Sequence, residues 1–230
     1  LRGNGAASKP ADGYRVDDFA LDVATFLDEV GLETAVIVGH SMGGAVAQRF
    51  AATYPEATRG LVLVGTCITE PGDPQAQEFW DTTISQLTDP IDPVFMRQFL
   101  ESTLAQPVPQ SFLETIVQDS LKVLARVWRA IWQGRLDEDG TDDPGRIKAP
   151  TVIIWGNEDK RCSHSDQKTL KDEIADSQLR IYKGAGHGLH YEEPERFASD
   201  LAAFVYDVVR EQRSLCLSLR SDIENTERER

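Results

Sequence analysis

Hydrophobic positions along the chain follow two alternating patterns. Four short runs rich in apolar residues, at 35–38, 61–64, 151–155 and 179–182, are typical of buried strands. Apolar residues at a spacing of about 3.6 predict amphipathic helices. The predicted helices cover about 17–30, 42–54, 165–175 and a segment that begins at Pro194. Asp17 is expected to cap the start of the first one. The alternation predicts an α/β fold whose mostly parallel sheet is buried on both faces and flanked by helices.

The alternation is interrupted between the second and third predicted strands. Prolines divide residues 66–148 into short segments, and one longer helix carries apolar residues from Leu113 to Trp132 on one face. We interpret this region as a helical cap inserted into the core. Trp128 and Trp132 are expected in its core, with a pocket wall as the alternative.

The predicted organisation therefore has four parts. Residues 1–65 form the N-terminal part of the core, 66–148 the cap and 149–210 the C-terminal part of the core. The charged tail at 211–230 is expected to be frayed or disordered.

Composition narrows the classes of partner. The chain of 230 residues has 24 basic and 38 acidic residues, a net charge of −14 at pH 7, which argues against a nucleic-acid groove or an anionic membrane as partner. Cys67, Cys162 and Cys216 are too few and too scattered to predict a disulfide framework or a zinc site. With neither a signal peptide nor an 18-residue apolar run, we expect a cytoplasmic protein acting on a small molecule. Its oligomeric state stays open.

Residues 39–44, Gly-His-Ser-Met-Gly-Gly, follow the first predicted strand directly and begin the next helix. Such a strand, sharp turn and helix is the setting of a nucleophile elbow, in which a strained turn exposes the hydroxyl of Ser41. Gly39 and Gly43 are expected to leave room on either side of this turn. The N–H of Met42, at the helix N-terminus, is the expected first oxyanion donor. The alternative is a glycine-rich turn with an inert serine.

A serine nucleophile requires a general base, and the chain has four histidines. His40 adjoins Ser41, and its side chain is expected to point elsewhere, while His164 lies among polar residues after the third strand. His187 lies in a glycine-flanked loop after the last strand, at the carboxyl edge where Ser41 also lies. We therefore predict His187 as the base.

His190 could be combined with Glu192 and Glu193 into a metal site, but the spacing alone is a weak signal. A role in packing or at the pocket rim is the expectation for His190. No metal and no cofactor are predicted.

Asp159 is the predicted acid that orients the base. It lies in the loop after strand 151–155, at the same edge of the sheet. The order Ser41, Asp159, His187 is the order that hydrolases with this serine motif require. Glu158 and Asp166 are the alternative acids.

Three motifs in this order resemble the α/β-hydrolase superfamily. They are residues 39–44, residues 155–159 (Trp-Gly-Asn-Glu-Asp), and residues 184–187 (Gly-Ala-Gly-His) followed by 193–197 (Glu-Pro-Glu-Arg-Phe). The resemblance spans about residues 1–210. It is strongest to capped ester and lactone hydrolases typified by enol-lactonases, whose relatives include cofactor-free haloperoxidases and C–C bond hydrolases. It implies an α/β-hydrolase fold and an acyl-enzyme on Ser41, and the serine disfavours relatives with an aspartate nucleophile.

The start of the chain departs from this family. Residues 1–8 resemble the segment that follows the fourth strand, with a histidine usual where Asn4 stands. The first strands and the loop that supplies the second oxyanion donor are not found, so we expect an N-terminally truncated hydrolase whose strand 35–38 lies at an exposed edge. A non-catalytic remnant or binding module is the alternative from another class. Perhydrolysis or C–C cleavage is the alternative reaction.

Overall fold

The computed structural model describes residues 1–68, 72–138 and 144–210. Its strands are β1 (Ala35–His40), β2 (Thr58–Val64), β3 (Thr151–Gly156) and β4 (Ser177–Tyr182). Its helices are α1 (Val16–Glu29), α2 (Met42–Thr53), α3 (Pro74–Thr82), α4 (Pro93–Glu101), α5 (Gln110–Ser120), α6 (Ala125–Leu136), α7 (His164–Glu173), α8 (Leu189–Glu192) and α9 (194–210). None of these helices is both long and apolar enough to cross a membrane. The predicted tail at 211–230 lies outside the described residues.

The four strands form one parallel sheet in the order β1-β2-β3-β4, as the alternation predicts. Within the described residues β1 pairs with β2 alone, and Val38 on it is 46% exposed. The prediction of an exposed edge at this strand is therefore confirmed. All four strands run in one direction, so their carboxyl ends meet at one edge, where a site can form.

Successive residues of the central strands face opposite sides of the sheet. Leu61, Leu63 and Ile153 pack against α2 and α7, in a cluster that includes Ala47 and Leu170. Their neighbours face the other side and pack under α9, in a cluster of Val62, Val64, Val152, Ile154, Phe204 and Val208. Both faces are covered, which explains why these strands are continuously apolar.

The helical region between β2 and β3 corrects one prediction. The single long helix expected from Leu113 to Trp132 is two helices, α5 and α6. The Asp89 carboxylate accepts a hydrogen bond from the N–H of Ala125 at 2.7 Å and so caps the start of α6. Because Asp89 is distant in sequence, this cap has no local signal. Trp128 packs on Phe99 with ring centroids 5.5 Å apart, within the apolar cluster of this region.

The start of α1 corrects a second prediction. Asp18, and not Asp17, caps the helix, because its carboxylate accepts a hydrogen bond from the N–H of Arg15 at 2.9 Å. Asp17 instead pairs with Arg49 of α2. This ion pair joins two helices and cannot be read from the local sequence.

The cysteines correct a third prediction. Cys67 and Cys162 form a disulfide, with Cα atoms 4.9 Å apart, although no disulfide was expected. Cys67 follows β2 and Cys162 follows β3, and these strands are neighbours in the sheet. The loops at their carboxyl ends therefore meet, although the two cysteines lie 95 residues apart in sequence. Cys216 lies outside the described residues.

Candidate active site

Ser41 lies between the end of β1 and the start of α2, as the elbow motif predicts. Its φ of 53° and ψ of −120° place it in a conformation that residues with a side chain rarely adopt. Among the described residues it is the one non-glycine with positive φ. The turn is held by hydrogen bonds from the Ser41 N–H to the Val64 carbonyl at 3.0 Å and from the Gly44 N–H to the Ser41 carbonyl at 2.8 Å.

Two glycines around this turn are required by close approach, and they differ in part from the predicted pair. A Cβ on Gly39 would lie 2.1 Å from the Gly43 carbonyl oxygen, so no larger residue fits there. A Cβ on Gly44 would lie 1.9 Å from Oγ1 of Thr66. A Cβ on Gly43 would meet no atom within 4 Å. The expectation is confirmed for Gly39 and wrong for Gly43. The second glycine that close contacts require is Gly44.

Asp159 and His187 form a buried pair. His187 Nδ1 lies 2.9 Å from Oδ2 of Asp159, and their side chains are 5% and 0% exposed. The other carboxylate oxygen, Oδ1, accepts hydrogen bonds from the N–H groups of Arg161 at 2.8 Å and Cys162 at 3.1 Å. When Nδ1 carries the proton and donates it to Asp159, Nε2 is left as the proton acceptor, which is the tautomer a general base needs.

Ser41 and His187 both lie against the end of β2. Ser41 is hydrogen-bonded to Val64, and a Cβ on the following residue, Gly65, would lie 3.3 Å from both His187 Nδ1 and Asp159 Oδ2. Within the described residues, no hydrogen bond joins the Ser41 hydroxyl to His187. That contact stays a prediction, and such contacts are often long in ligand-free enzymes and tighten with substrate.

The loop that carries His187 is tied to the helical region between β2 and β3. The Glu192 carboxylate accepts hydrogen bonds from the N–H of Gly186 at 3.0 Å and from the N–H of Ala105 at 3.0 Å. The N–H of Gly188 donates to the carbonyl of Thr103 at 2.9 Å. Residues 103–105 therefore hold the loop on both sides of His187.

The alternative acids are engaged elsewhere. Glu158 accepts a hydrogen bond from Asn157 at 3.3 Å, and Asp166 caps α7 by accepting one from the N–H of Ser163 at 3.0 Å. His164 stacks on Trp155, with ring centroids 5.3 Å apart. Of the predicted acids, Asp159 is the one that the structure brings to His187.

His40, whose side chain is expected from the sequence to point elsewhere, contacts His187 in the structure. Its Nε2 lies 2.9 Å from the carbonyl oxygen of His187. Its ring centroid lies 4.7 Å from that of His187 and 4.4 Å from that of His190. Burial, together with the neighbouring histidines, lowers the pKa of His40 to about 3, and burial and His187 lower the pKa of His190 to about 4. Both histidines are therefore neutral near pH 7.

Potential metal ligands overlap this site. Asp159, Cys162 and His187 offer ligand atoms within 4.8 Å of one another. The sulfur of Cys162 is bound to Cys67 in the disulfide. The side chains of Asp159 and His187 are hydrogen-bonded to each other. In the described part of the chain His190 belongs to no such group, and the Glu192 carboxylate binds backbone amides.

Comparison with known proteins shows the family and the fold. The family model for the alpha/beta hydrolase fold matches residues 1–194. The AB hydrolase superfamily protein YisY of Bacillus subtilis is 31% identical over 216 residues, and the match covers 89% of this chain and 78% of the relative. The 3-oxoadipate enol-lactonase 2 of Acinetobacter baylyi is 26% identical over 197 residues, covering 85% and 73%. The structure of a thermophilic esterase from Thermogutta terrifontis is similar with a TM-score of 0.77 and 25% identity, covering 90% and 78%.

Proposed function

The chain belongs to the α/β-hydrolase family, and we propose that it is a serine hydrolase that cleaves small carboxylic esters or lactones through an acyl-enzyme on Ser41. The observation that carries the proposal is the buried hydrogen bond of 2.9 Å between Asp159 and His187, together with the φ of 53° at Ser41. A carboxylate that is completely buried beside an imidazole, at the carboxyl edge of the sheet, is the orienting group that a histidine base needs.

In the proposed reaction, His187 Nε2 takes the proton of the Ser41 hydroxyl while the serine oxygen attacks the carbonyl carbon of the substrate. The tetrahedral intermediate collapses, and the proton passes to the leaving alkoxide, which departs as an alcohol. Water then attacks the acyl-enzyme with His187 again as base, so that the acid is released and Ser41 regains its proton. Asp159 holds the Nδ1–H tautomer and stabilises the imidazolium that forms in each step.

The developing oxyanion requires hydrogen-bond donors. Met42 is the first residue of α2, so its N–H has no carbonyl partner within the helix and lies at the positive end of the helix dipole. We assign it as one oxyanion donor. The loss of one such donor costs about 10²- to 10³-fold in turnover.

The substrate class is inferred from the reaction centre and from similarity. The matched relatives include proteins described as an enol-lactonase and an esterase, and both activities attack a carboxylic ester bond. The helices between β2 and β3 act in this proposal as a cap that selects the substrate. The segment between α4 and α5 contacts the loop of His187 directly through Thr103, and Ala105 reaches it through Glu192, which supports that role.

Hydrolysis of p-nitrophenyl acetate and butyrate by the chain and by its Ser41→Ala variant tests the proposal. We expect turnover in the parent chain and a loss of about 10⁴-fold or more in the variant. Ser111→Ala, which changes an exposed serine of α5, is the matched control and should keep full activity.

Equal turnover in the parent chain and Ser41→Ala would overturn the serine mechanism. A folded parent chain without turnover on esters and on γ- and δ-lactones would favour the non-catalytic alternative. Peroxide-dependent halogenation without ester hydrolysis would instead assign perhydrolysis.

A further inference from the structure

We propose that His40 is a positioning residue, which holds the backbone of the general base by donating its Nε2–H to the carbonyl oxygen of His187. The inference rests on the proposed function, since it assigns His187 as the base. His40 does not contact the reacting atoms in this proposal. It acts through the loop that carries His187.

The contact itself fixes the protonation of His40. Its Nε2 lies 2.9 Å from the His187 carbonyl oxygen, and a carbonyl can only accept a hydrogen bond. Nε2 must therefore carry the proton. With its pKa lowered to about 3 by burial and by the adjacent histidines, His40 provides this donor without adding a positive charge beside the base.

The position of His40 in the chain gives the contact its consequence. His40 is the last residue of β1 and is bonded covalently to Ser41. The dipeptide thus places the nucleophile with one residue and holds the loop of the base with the other. A change in the distance between β1 and this loop is a change in the distance between nucleophile and base.

The other contacts of the loop do not replace this one. Glu192 holds the N–H of Gly186, and the Thr103 carbonyl holds the N–H of Gly188. These groups lie on α8 and on the segment after α4, and neither is part of the elbow. Asp159 orients the imidazole ring of His187 but does not contact the backbone carbonyl of His187. Among the hydrogen bonds of the described residues, the His40 contact is the one that joins the elbow residues to His187.

His190 packs against His40, with ring centroids 4.4 Å apart, and itself contacts Tyr191 and Phe197. The His40 ring therefore contacts two rings, that of His187 on the loop that it holds and that of His190 on α8. This packing favours one orientation of the His40 side chain, as a positioning residue requires.

The test compares His40→Phe, which keeps a ring and removes the donor, with His40→Gln, whose amide can place an N–H near the position of Nε2. We expect kcat for p-nitrophenyl butyrate to fall about 10- to 100-fold in His40→Phe with KM nearly unchanged, because a small displacement of a catalytic group slows the chemical step. His40→Gln should recover most of this loss. His164→Phe is the matched control and should leave kcat unchanged.

A second readout needs no turnover. Hydrogen exchange of the backbone amides of residues 184–192 should be faster in His40→Phe than in the parent chain and slower again in His40→Gln. If His40→Phe does not fold, His40→Leu replaces it as the variant without a donor.

Equal kcat in the parent chain and His40→Phe, or equal losses in the Phe and Gln variants, would overturn the proposal. Unchanged amide exchange would also overturn it. If the parent chain has no esterase activity but exchange increases in His40→Phe alone, the hydrogen bond is supported and the proposed function fails, so the two failures are distinguishable.

Discussion

The nucleophile side and the base side of the site are held in different ways. Ser41 is placed by the backbone of its own turn, with a φ of 53°, and its hydroxyl makes no side-chain hydrogen bond within the described residues. His187 is placed by hydrogen bonds with Asp159 and His40, which are distant in sequence. Its loop is held by Thr103, which accepts a hydrogen bond from the N–H of the residue after His187. The proposed nucleophile is therefore encoded by a local motif, whereas the proposed base depends on the tertiary fold.

The largest expected effect comes from disrupting the buried pair of Asp159 and His187. Asp159→Asn should lower kcat by about 10⁴-fold, because an amide that donates to Nδ1 favours the tautomer in which Nε2 carries the proton and cannot act as base. The measurement is steady-state hydrolysis of p-nitrophenyl butyrate. Glu158→Gln, the adjacent carboxyl, is the control and should retain activity. A loss below about tenfold in Asp159→Asn would assign the acid to another residue.

The next effect breaks the nucleophile side through its backbone. A Cβ on Gly39 would lie 2.1 Å from a carbonyl oxygen, so Gly39→Ala should lower the free energy of unfolding by about 3 kcal/mol or more. Gly43 has open space, so Gly43→Ala should change it by about 0.5 kcal/mol or less. Urea unfolding of both variants measures the difference. Equal stabilities would contradict the assignment of crowding to Gly39.

A smaller effect concerns the disulfide between Cys67 and Cys162, which ties the loop of the acid to the loop after β2. Reduction should lower the free energy of unfolding by about 2 kcal/mol, because the unfolded chain gains freedom when a long loop is opened. Unfolding with and without a phosphine reductant measures this change. The double variant Cys67→Ser/Cys162→Ser should not respond to reductant. A parent chain that is equally insensitive would show that the bond does not form.

The smallest expected effect is the pH dependence of stability that His40 and His190 contribute. Burial lowers their pKa values from 6.5 to about 3 and about 4 in the folded protein, so below pH 6.5 the unfolded chain binds more protons than the folded one. The stability that the two neutral, buried histidines contribute is complete above pH 6.5 and is lost as the pH falls. Between about pH 6.5 and about pH 5.5, each histidine should lower the free energy of unfolding by about 1 kcal/mol.

His190→Phe tests this contribution, since it removes one of the two titrating groups and keeps a ring. Its free energy of unfolding should fall by about 1 kcal/mol less than that of the parent chain over the same pH interval. Urea unfolding at several pH values measures both. Ser111→Ala, which removes no titrating group, is the control and should follow the parent chain. Identical slopes for His190→Phe and the parent would contradict the buried, neutral state of His190.

Local sequence was sufficient for the sheet and for the elbow. The predicted runs 61–64 and 151–155 lie in the central strands, and all their residues are buried, because a strand covered on both faces must be continuously apolar. The elbow was equally local, since a strand, Gly39, Ser41 and a helix follow one another without a gap. Helix boundaries were less predictable where a distant side chain supplies the cap, as Asp89 does for α6.

Contacts between separate loops could not be predicted from local patterns. The disulfide depends on β2 and β3 being neighbours, and the signal that could have found it is that Cys67 and Cys162 both follow strands that end at one edge. His40 was missed for the same reason, because its partner is a backbone carbonyl 147 residues away in sequence. Pattern analysis finds side chains with a typical spacing, and a backbone acceptor has none.

The central claim is that Ser41 is the nucleophile that His187 activates, and active-site labelling tests it most directly. The parent chain is treated with a fluorophosphonate, and the modified residue is located by peptide mass spectrometry, beside His187→Gln and the control His164→Gln. We expect one label, on Ser41, with a rate that falls strongly in His187→Gln and is unchanged in His164→Gln. A label on another residue, no label on a folded chain, or equal rates in the parent chain and His187→Gln would contradict the account.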